Sequence, residues 1–268
     1  MSDKGIHFLH ISDTHISDDP YYAPDHIHPN IGAQALIKYI EALRFPIDFI
    51  LHTGDVAYDP HPETYQLIKN LFAEIKIPIY YVRGNHDHVQ ALQSVLMQRA
   101  EADLQESLYY SVEVAGYQLI VLDSNGPAPL PAGNLIQGQL DWLNTLCQAD
   151  DTRPLLVAVH HNILPVGVPW LDNWMRALNG EALHEILLQA QHRLCAVFHG
   201  HIHQNYQVMR DGILYVSAAS SWRQFYAEPG LKEIVPDFSA RPGLNLVSLR
   251  GRDCSIRQHV FELDLSEE

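Results

Sequence analysis

The sequence predicts an α/β fold, a layered sandwich containing mixed sheets, and two patterns predict it. Short apolar runs alternate with helix-periodic segments through the first three quarters of the chain. The last quarter changes to hairpins. In chain order, Ile6–Ile11, Phe49–Leu51, Ile77–Val82, Leu119–Leu122, Leu155–Val159 and Cys195–Phe198 read as buried strands. Between them Ile31–Leu43, Thr64–Ile75, Val89–Arg99, Gln139–Leu146 and Gly180–Gln191 repeat their apolar residues at helical spacing. Tyr206–Met209 and Ile213–Ser217 flank an Asp211-Gly212 turn, and Leu244–Leu249 and Ser255–Leu263 flank a turn at Gly251–Asp253. No repeat, low-complexity tract or linker interrupts the 268 residues, so a single domain over 1–268 is expected. Two polar loops are long enough to be functional, Ser17–Asn30 and Ser220–Pro242.

Composition excludes several classes. Hydrophobic residues make up 47% and charged residues 18%, which suits a globular chain and not a disordered one. No apolar run approaches the ~18–20 residues of a membrane span. The opening MSDKGIHFLHIS lacks the apolar core of a secretion signal, so a cytoplasmic location without membrane partners is expected. A formal charge of −15 makes the surface a poor ligand for nucleic acid. It leaves room for a small anionic substrate where metal cations reverse the local field. Cys147, Cys195 and Cys254 are far apart and odd in number, which excludes a disulfide framework or a Cys-based zinc site. Histidine stands out instead: 17 of them, as many as Lys and Arg together.

Five polar clusters follow the ends of the buried strands: Asp13-Thr14-His15, Gly54-Asp55, Gly84-Asn85-His86-Asp87, His160-His161 and Gly200-His201-Ile202-His203. An α/β sheet places its ligands there. If the chain stays extended, the Asp-x-His and His-x-His pairs each point to one side. Asp13, His15, Asp55, Asn85, His160, His201 and His203 offer seven N/O donors without sulfur, a set suited to two ions such as Fe, Mn or Zn. His7, His10, His26, His28, His52, His61, His88, His184, His192 and His259 are expected at the surface or in supporting positions.

In this order the motifs D-x-H, G-D, G-N-H-D, H-H and G-H-x-H resemble those of the calcineurin-like metallophosphoesterases, across about the whole chain. Trp170-Leu171-Asp172, the run Gly200–Gln204 and Pro242-Gly243-Leu244 look like the class III cyclic nucleotide (cyclic-AMP) phosphodiesterases within that superfamily. The resemblance implies a four-layer αββα sandwich of two mixed β-sheets flanked by helices. It implies one metal held by Asp13, His15, Asp55 and His203, and a second held by Asp55, Asn85, His160 and His201. The implied reaction is hydrolysis of a small phosphodiester, foremost 3′,5′-cyclic AMP, by a metal-bridging hydroxide, with His86 protonating the departing alkoxide. Asp87 either orients that imidazole or stabilises its turn, and Asn85, His86 and His161 are the expected substrate contacts.

Other positions carry two readings each. Tyr58 is a packing residue or, as in purple acid phosphatases, an iron ligand; His15 already supplies the donor that they lack, which favours packing. Arg83 holds a phosphate oxygen or braces its loop. Trp170, Trp174, Trp222 and Phe225 stack a nucleobase or pack the loops. Glycerophosphodiesters are the alternative substrates, and a metal-free scaffold of the same fold is the alternative class. Related enzymes pair as dimers, which makes residues 220–243 a candidate cap or dimerisation loop.

Overall fold

The computed structural model describes residues 5–265. Eleven strands among those residues form two sheets. In the first, β1 (Ile6–Ile11), β2 (Phe49–His52) and β3 (Ile79–Tyr81) run parallel, and β10 (Gly243–Arg250) and β11 (Asp253–Val260) extend it antiparallel in the order β11-β10-β1-β2-β3. The second has the order β4-β5-β6-β7-β9-β8, from β4 (Tyr110–Val114), β5 (Tyr117–Val121), β6 (Leu155–Ala158), β7 (Leu194–His199), β8 (Gln207–Arg210) and β9 (Ile213–Ser217). Its four inner strands are parallel and its two edge strands antiparallel. Both sheets are therefore mixed, as expected.

Burial separates the layers. Phe8, Phe49, Leu119, Leu156 and Phe198 meet in the apolar layer between the sheets, with Phe8 stacked on Phe49 at 4.5 Å. Leu9, Ile11 and Ile50 pack outward against helices α1 (Pro29–Ala42) and α2 (Pro62–Phe72). Leu155, Val157 and Val197 pack outward against two further helices that precede β6 and β7, Gln137–Gln148 and Gly180–Leu188. A strand with apolar side chains on both faces needs cover on both, and here one face meets the other sheet and the opposite face meets helices. No helix among the described residues is long and apolar enough to cross a membrane.

Three expectations change. The helix over Val89–Arg99 shortens to α3 (Val89–Ala91) and continues as a wide turn over Leu92–Leu96. Buried Gln93 bonds Val89 O, Gln105 N and O and Arg99, and this holds the turn open. The later helices are α4 (Gln137–Gln148), α5 (Pro169–Trp174) and α6 (Gly180–Leu188). Strand β4 and helix α5 are additions to the expected elements. Strand β4 is an edge strand alternating exposed and half-buried residues, and its turn places Ala115 (φ 50°) where glycine or asparagine is usual.

His10 and His199 are fully buried behind the strand ends, His10 against Thr53 Oγ1 at 3.0 Å. Burial, reinforced by the neighbouring His199, pushes His10 down to about 3, and burial pushes His199 to about 4. The unfolded chain therefore takes up protons first as the pH falls. The stability these neutral rings contribute is complete above roughly pH 6.5 and is lost toward pH 4, with about 2 kcal/mol per histidine gone at pH 5. Urea midpoints in chelator at pH 7.5 and pH 5 should show this fall, and His10→Gln should reduce it. An unchanged pH dependence in that variant would exclude His10 as a source.

Candidate metal centre

The C-terminal ends of β1, β2 and β3 from one sheet and of β6 and β7 from the other open onto one edge of the sandwich. The chain does not stay extended there, which corrects the period-2 argument. Asp13 (φ 52°), His15 (47°), Asp55 (51°), His201 (70°) and His203 (51°) all adopt the left-handed region. A non-glycine residue there costs about 1–3 kcal/mol, so five together need compensating bonds. Asp13 N–H donates to Gly54 O, His15 N–H to Asp55 O and Ile16 N–H to Val56 O, each at 3.0 Å, stapling the first two turns together. Buried His52 adds a side-chain link: its Nδ1 accepts from Gly54 N–H and its Nε2 donates to Thr14 Oγ1, which itself donates to Val56 O. Gly54 has φ 104°, and a Cβ there would fall 2.5 Å from His160 Nδ1. One at Gly84 would collide with the Asp55 backbone and carboxylate.

These turns bring all seven expected donors together. His203 Nε2 lies 3.0 Å from His15 Nε2 and 3.4 Å from Asp13 Oδ1. His160 Nε2 lies 3.1 Å from Asn85 Oδ1, 3.3 Å from Asp55 Oδ2 and 3.2 Å from His201 Nδ1. Asp55 Oδ2 is also 3.6 Å from His15 Nε2, so one carboxylate oxygen stands between the two groups. Its other oxygen accepts the His86 N–H at 2.9 Å.

The chemistry of this set fits metal cations. His160 Nδ1–H donates to Thr53 O (2.8 Å) and His203 Nδ1–H donates to Arg223 O (2.7 Å), which leaves both Nε2 atoms as lone pairs facing other acceptors. Electron-rich atoms in such contact are stabilised by a cation or a proton between them. Burial holds His15 and His201 well below 6.5, in the neutral form a metal requires. Burial also acts to lower His160, but the Asp55 carboxylate outweighs it and lifts the ring to about 9, so a proton takes a cation's place. Against the upward push of burial, His160 and His86 draw Asp55 well below the usual carboxylate range. Burial raises Asp13, with His203 and His160 opposing.

The remaining candidates divide. His86 faces the cleft beside His15 and Asp55, its Nδ1 donating to Tyr58 O at 3.2 Å. Asp87 does not orient it: Asp87 Oδ1 accepts from Val56 N–H, Ala57 N–H and the Tyr65 hydroxyl, and Oδ2 from Gly84 N–H. Those bonds fit the turn-stabilising reading. His161 is fully buried, with Nε2 donating to Pro131 O and Nδ1 accepting from Ser124 Oγ, and it is absent from the lining of the cleft. Arg83 braces its loop through Asp87 O and Asp123. Tyr58 stacks on Tyr22 at 3.9 Å and packs beside His86.

The cleft over the donors has a volume of about 290 Å³. Tyr22, Tyr58, Trp174, Trp222 and Phe225 line it, whereas Trp170 is buried beneath Phe225 with Nε1–H on Tyr226 O. The Ser220–Pro242 loop thus supplies one wall of the cleft. Sequence reasoning passed over Arg223, which also lines it. A lone cation inside the aromatic run Trp222–Phe225 was the available signal. A separate hollow of about 320 Å³ lies behind Trp222 and Arg223 and contains none of the seven donors.

Comparison with known proteins agrees with this geometry. The family model described as calcineurin-like phosphoesterase matches residues 6–205. The chain is 33% identical over 205 residues to the 3′,5′-cyclic adenosine monophosphate phosphodiesterase CpdA of Pseudomonas aeruginosa, covering 76% of this chain and 70% of that protein. Identity to the CpdA of Escherichia coli is 30% over 82% of this chain and 78% of that one. A probable cyclic nucleotide phosphodiesterase of Psychrobacter arcticus is 28% identical over 92% of this chain and 90% of its own length. Among solved structures, a purple acid phosphatase from yellow lupin seeds superposes with a TM-score of 0.66 at 12% identity, over 97% of this chain and 52% of that one. That likeness concerns the fold alone.

Proposed function

Since this chain belongs to the calcineurin-like phosphoesterase family, we propose that it is a dinuclear-metal phosphodiesterase whose foremost substrates are 3′,5′-cyclic nucleotides such as cyclic AMP. The observation that carries the reading is Asp55 Oδ2, 3.6 Å from His15 Nε2 and 3.3 Å from His160 Nε2, one oxygen available to two ligand groups. Asp13, His15 and His203 would hold one ion with Asp55, and Asn85, His160 and His201 the other. Fe, Mn or Zn suits these donors. When bound, such a pair acidifies a water for attack on phosphorus and neutralises the phosphoryl oxygens.

The chain's own groups do the rest. Thr53 O and Arg223 O fix the tautomers of His160 and His203, so each ring offers Nε2 without reorganisation. The His86 N–H fixes the Asp55 carboxylate, while its ring, tethered at Nδ1 by Tyr58 O, leaves Nε2 to donate a proton to a departing alkoxide. The aromatic walls limit water around the reacting group. The names of the relatives support the cyclic-nucleotide reading. Mn-loaded protein should be assayed on cyclic AMP, cyclic GMP, glycerophosphodiesters, bis-p-nitrophenyl phosphate and p-nitrophenyl phosphate. Preference for the cyclic nucleotides is expected. Equal turnover of the monoester would overturn the diesterase reading, and preference for glycerophosphodiesters would overturn the nucleotide.

A further inference from the structure

Arg223 is the one Lys or Arg lining the cleft among the described residues. Its Nη2 lies 2.6 Å from Asp25 Oδ2, and its guanidinium carbon lies 5.1 Å from the Phe225 ring centroid and 5.9 Å from that of Trp222. Its Nε has no acceptor among the described residues. Each ring in turn touches a metal-ligand candidate: Phe225 is 5.0 Å from His203, and Trp222 is 5.8 Å from His15. Arg223 thus adjoins both rings that pack against the donors.

That position, in the same cleft as the donors and against two of its aromatic walls, suits the group the phosphate carries. A guanidinium is planar, stacks on flat rings and donates hydrogen bonds in its own plane. We propose that Arg223 is a specificity-determining residue that recognises the planar, acceptor-rich heteroaromatic group of the substrate, a nucleobase, with Trp222 and Phe225 setting its pose. This rests on the phosphodiesterase reading above and names what distinguishes a nucleotide from other small diesters at this cleft.

The competing role is structural. The Arg223–Asp25 pair and the Trp222 Nε1–H bond to Ile27 O (2.9 Å) both join the loop before α1 to the loop before β10. The counter-ion separates the two roles. Metal-loaded wild type, Arg223→Gln, Arg223→Lys and Asp25→Asn should be compared on cyclic AMP by kcat and KM, with metal content measured in parallel. Arg223→Gln should raise KM about tenfold with kcat within about twofold and both ions retained. Arg223→Lys should recover little of the loss, because an ammonium cannot stack. Asp25→Asn breaks the same loop tie yet frees the guanidinium, so its KM should stay at or below the wild-type value. Equal KM increases in Arg223→Gln and Asp25→Asn would overturn the inference in favour of the tie, as would a kcat loss at constant KM. Wild type that cleaves bis-p-nitrophenyl phosphate but no cyclic nucleotide would sink this inference and leave the diesterase standing. Wild type inactive on every diester would sink both.

Discussion

Asp55→Ala is expected to lose both metal ions and more than ~10³-fold in turnover of cyclic AMP. The size follows from geometry. Asp55 Oδ2 faces His15 and His160 together, and Oδ1 is held by the His86 N–H, so its removal takes an anionic donor from both groups at once. Without it the second group keeps imidazoles and an amide but no anionic donor, and the first keeps only Asp13. Elemental analysis after Mn loading reads the stoichiometry directly. Thermal unfolding gives an independent readout: metal at about 100 times its Kd should stabilise wild type by about 2.7 kcal/mol and should leave the variant unchanged. Loss of one ion alone would count against a shared ligand. Because position 55 has φ 51°, alanine there also carries backbone strain, and Asp55→Asn, isosteric with the native side chain, separates that strain from the missing charge.

What could be read beforehand depended on whether the signal was local. The strands that carry the donors are buried on both faces, so each is a continuous apolar run, and their predicted ends fell within about two residues of β1, β2, β6 and β7. The donors follow those ends, which made their convergence legible without coordinates. Edge strand β4 alternates instead, and its Ala115-Gly116 turn has the usual glycine at its second position but alanine at the first, where positive φ favours asparagine, aspartate or glycine. The left-handed turns at Asp13, His15, Asp55, His201 and His203 were equally hidden, because backbone bonds between separate motifs impose them against the residues' own preference.

The same limit applies to individual side chains. His160 and His161 are neighbours with similar sequence surroundings. Thr53 O leaves one of them with a free Nε2, whereas Ser124 and Pro131 O occupy both nitrogens of the other. Arg83 immediately precedes the third motif and braces it, while Arg223, over a hundred residues later, reaches the cleft through the Ser220–Pro242 loop. Motif spacing reports which strand end a residue occupies. It carries no information about a hydrogen-bond partner contributed by another loop.

His86→Ala should keep both ions and lose ~10²–10⁴ in kcat on cyclic AMP. The ring packs between Tyr58 (5.1 Å) and His15 (4.9 Å), and Tyr58 O holds Nδ1, so Nε2 is the atom presented to the cleft. A poor leaving group such as a ribose alkoxide needs a proton as its bond to phosphorus breaks, and this ring can deliver one. A p-nitrophenolate leaves readily without one, so the same variant should lose far less on bis-p-nitrophenyl phosphate. His86 also lies close enough to His15 and Asp55 to serve as a metal ligand, which makes metal content the deciding control. Loss of an ion in His86→Ala would assign it to the metal centre. Retention of both ions with equal losses on the two substrates would make it a phosphate-positioning residue instead. Only the combination of retained metal and a loss that grows with leaving-group basicity identifies the proton donor.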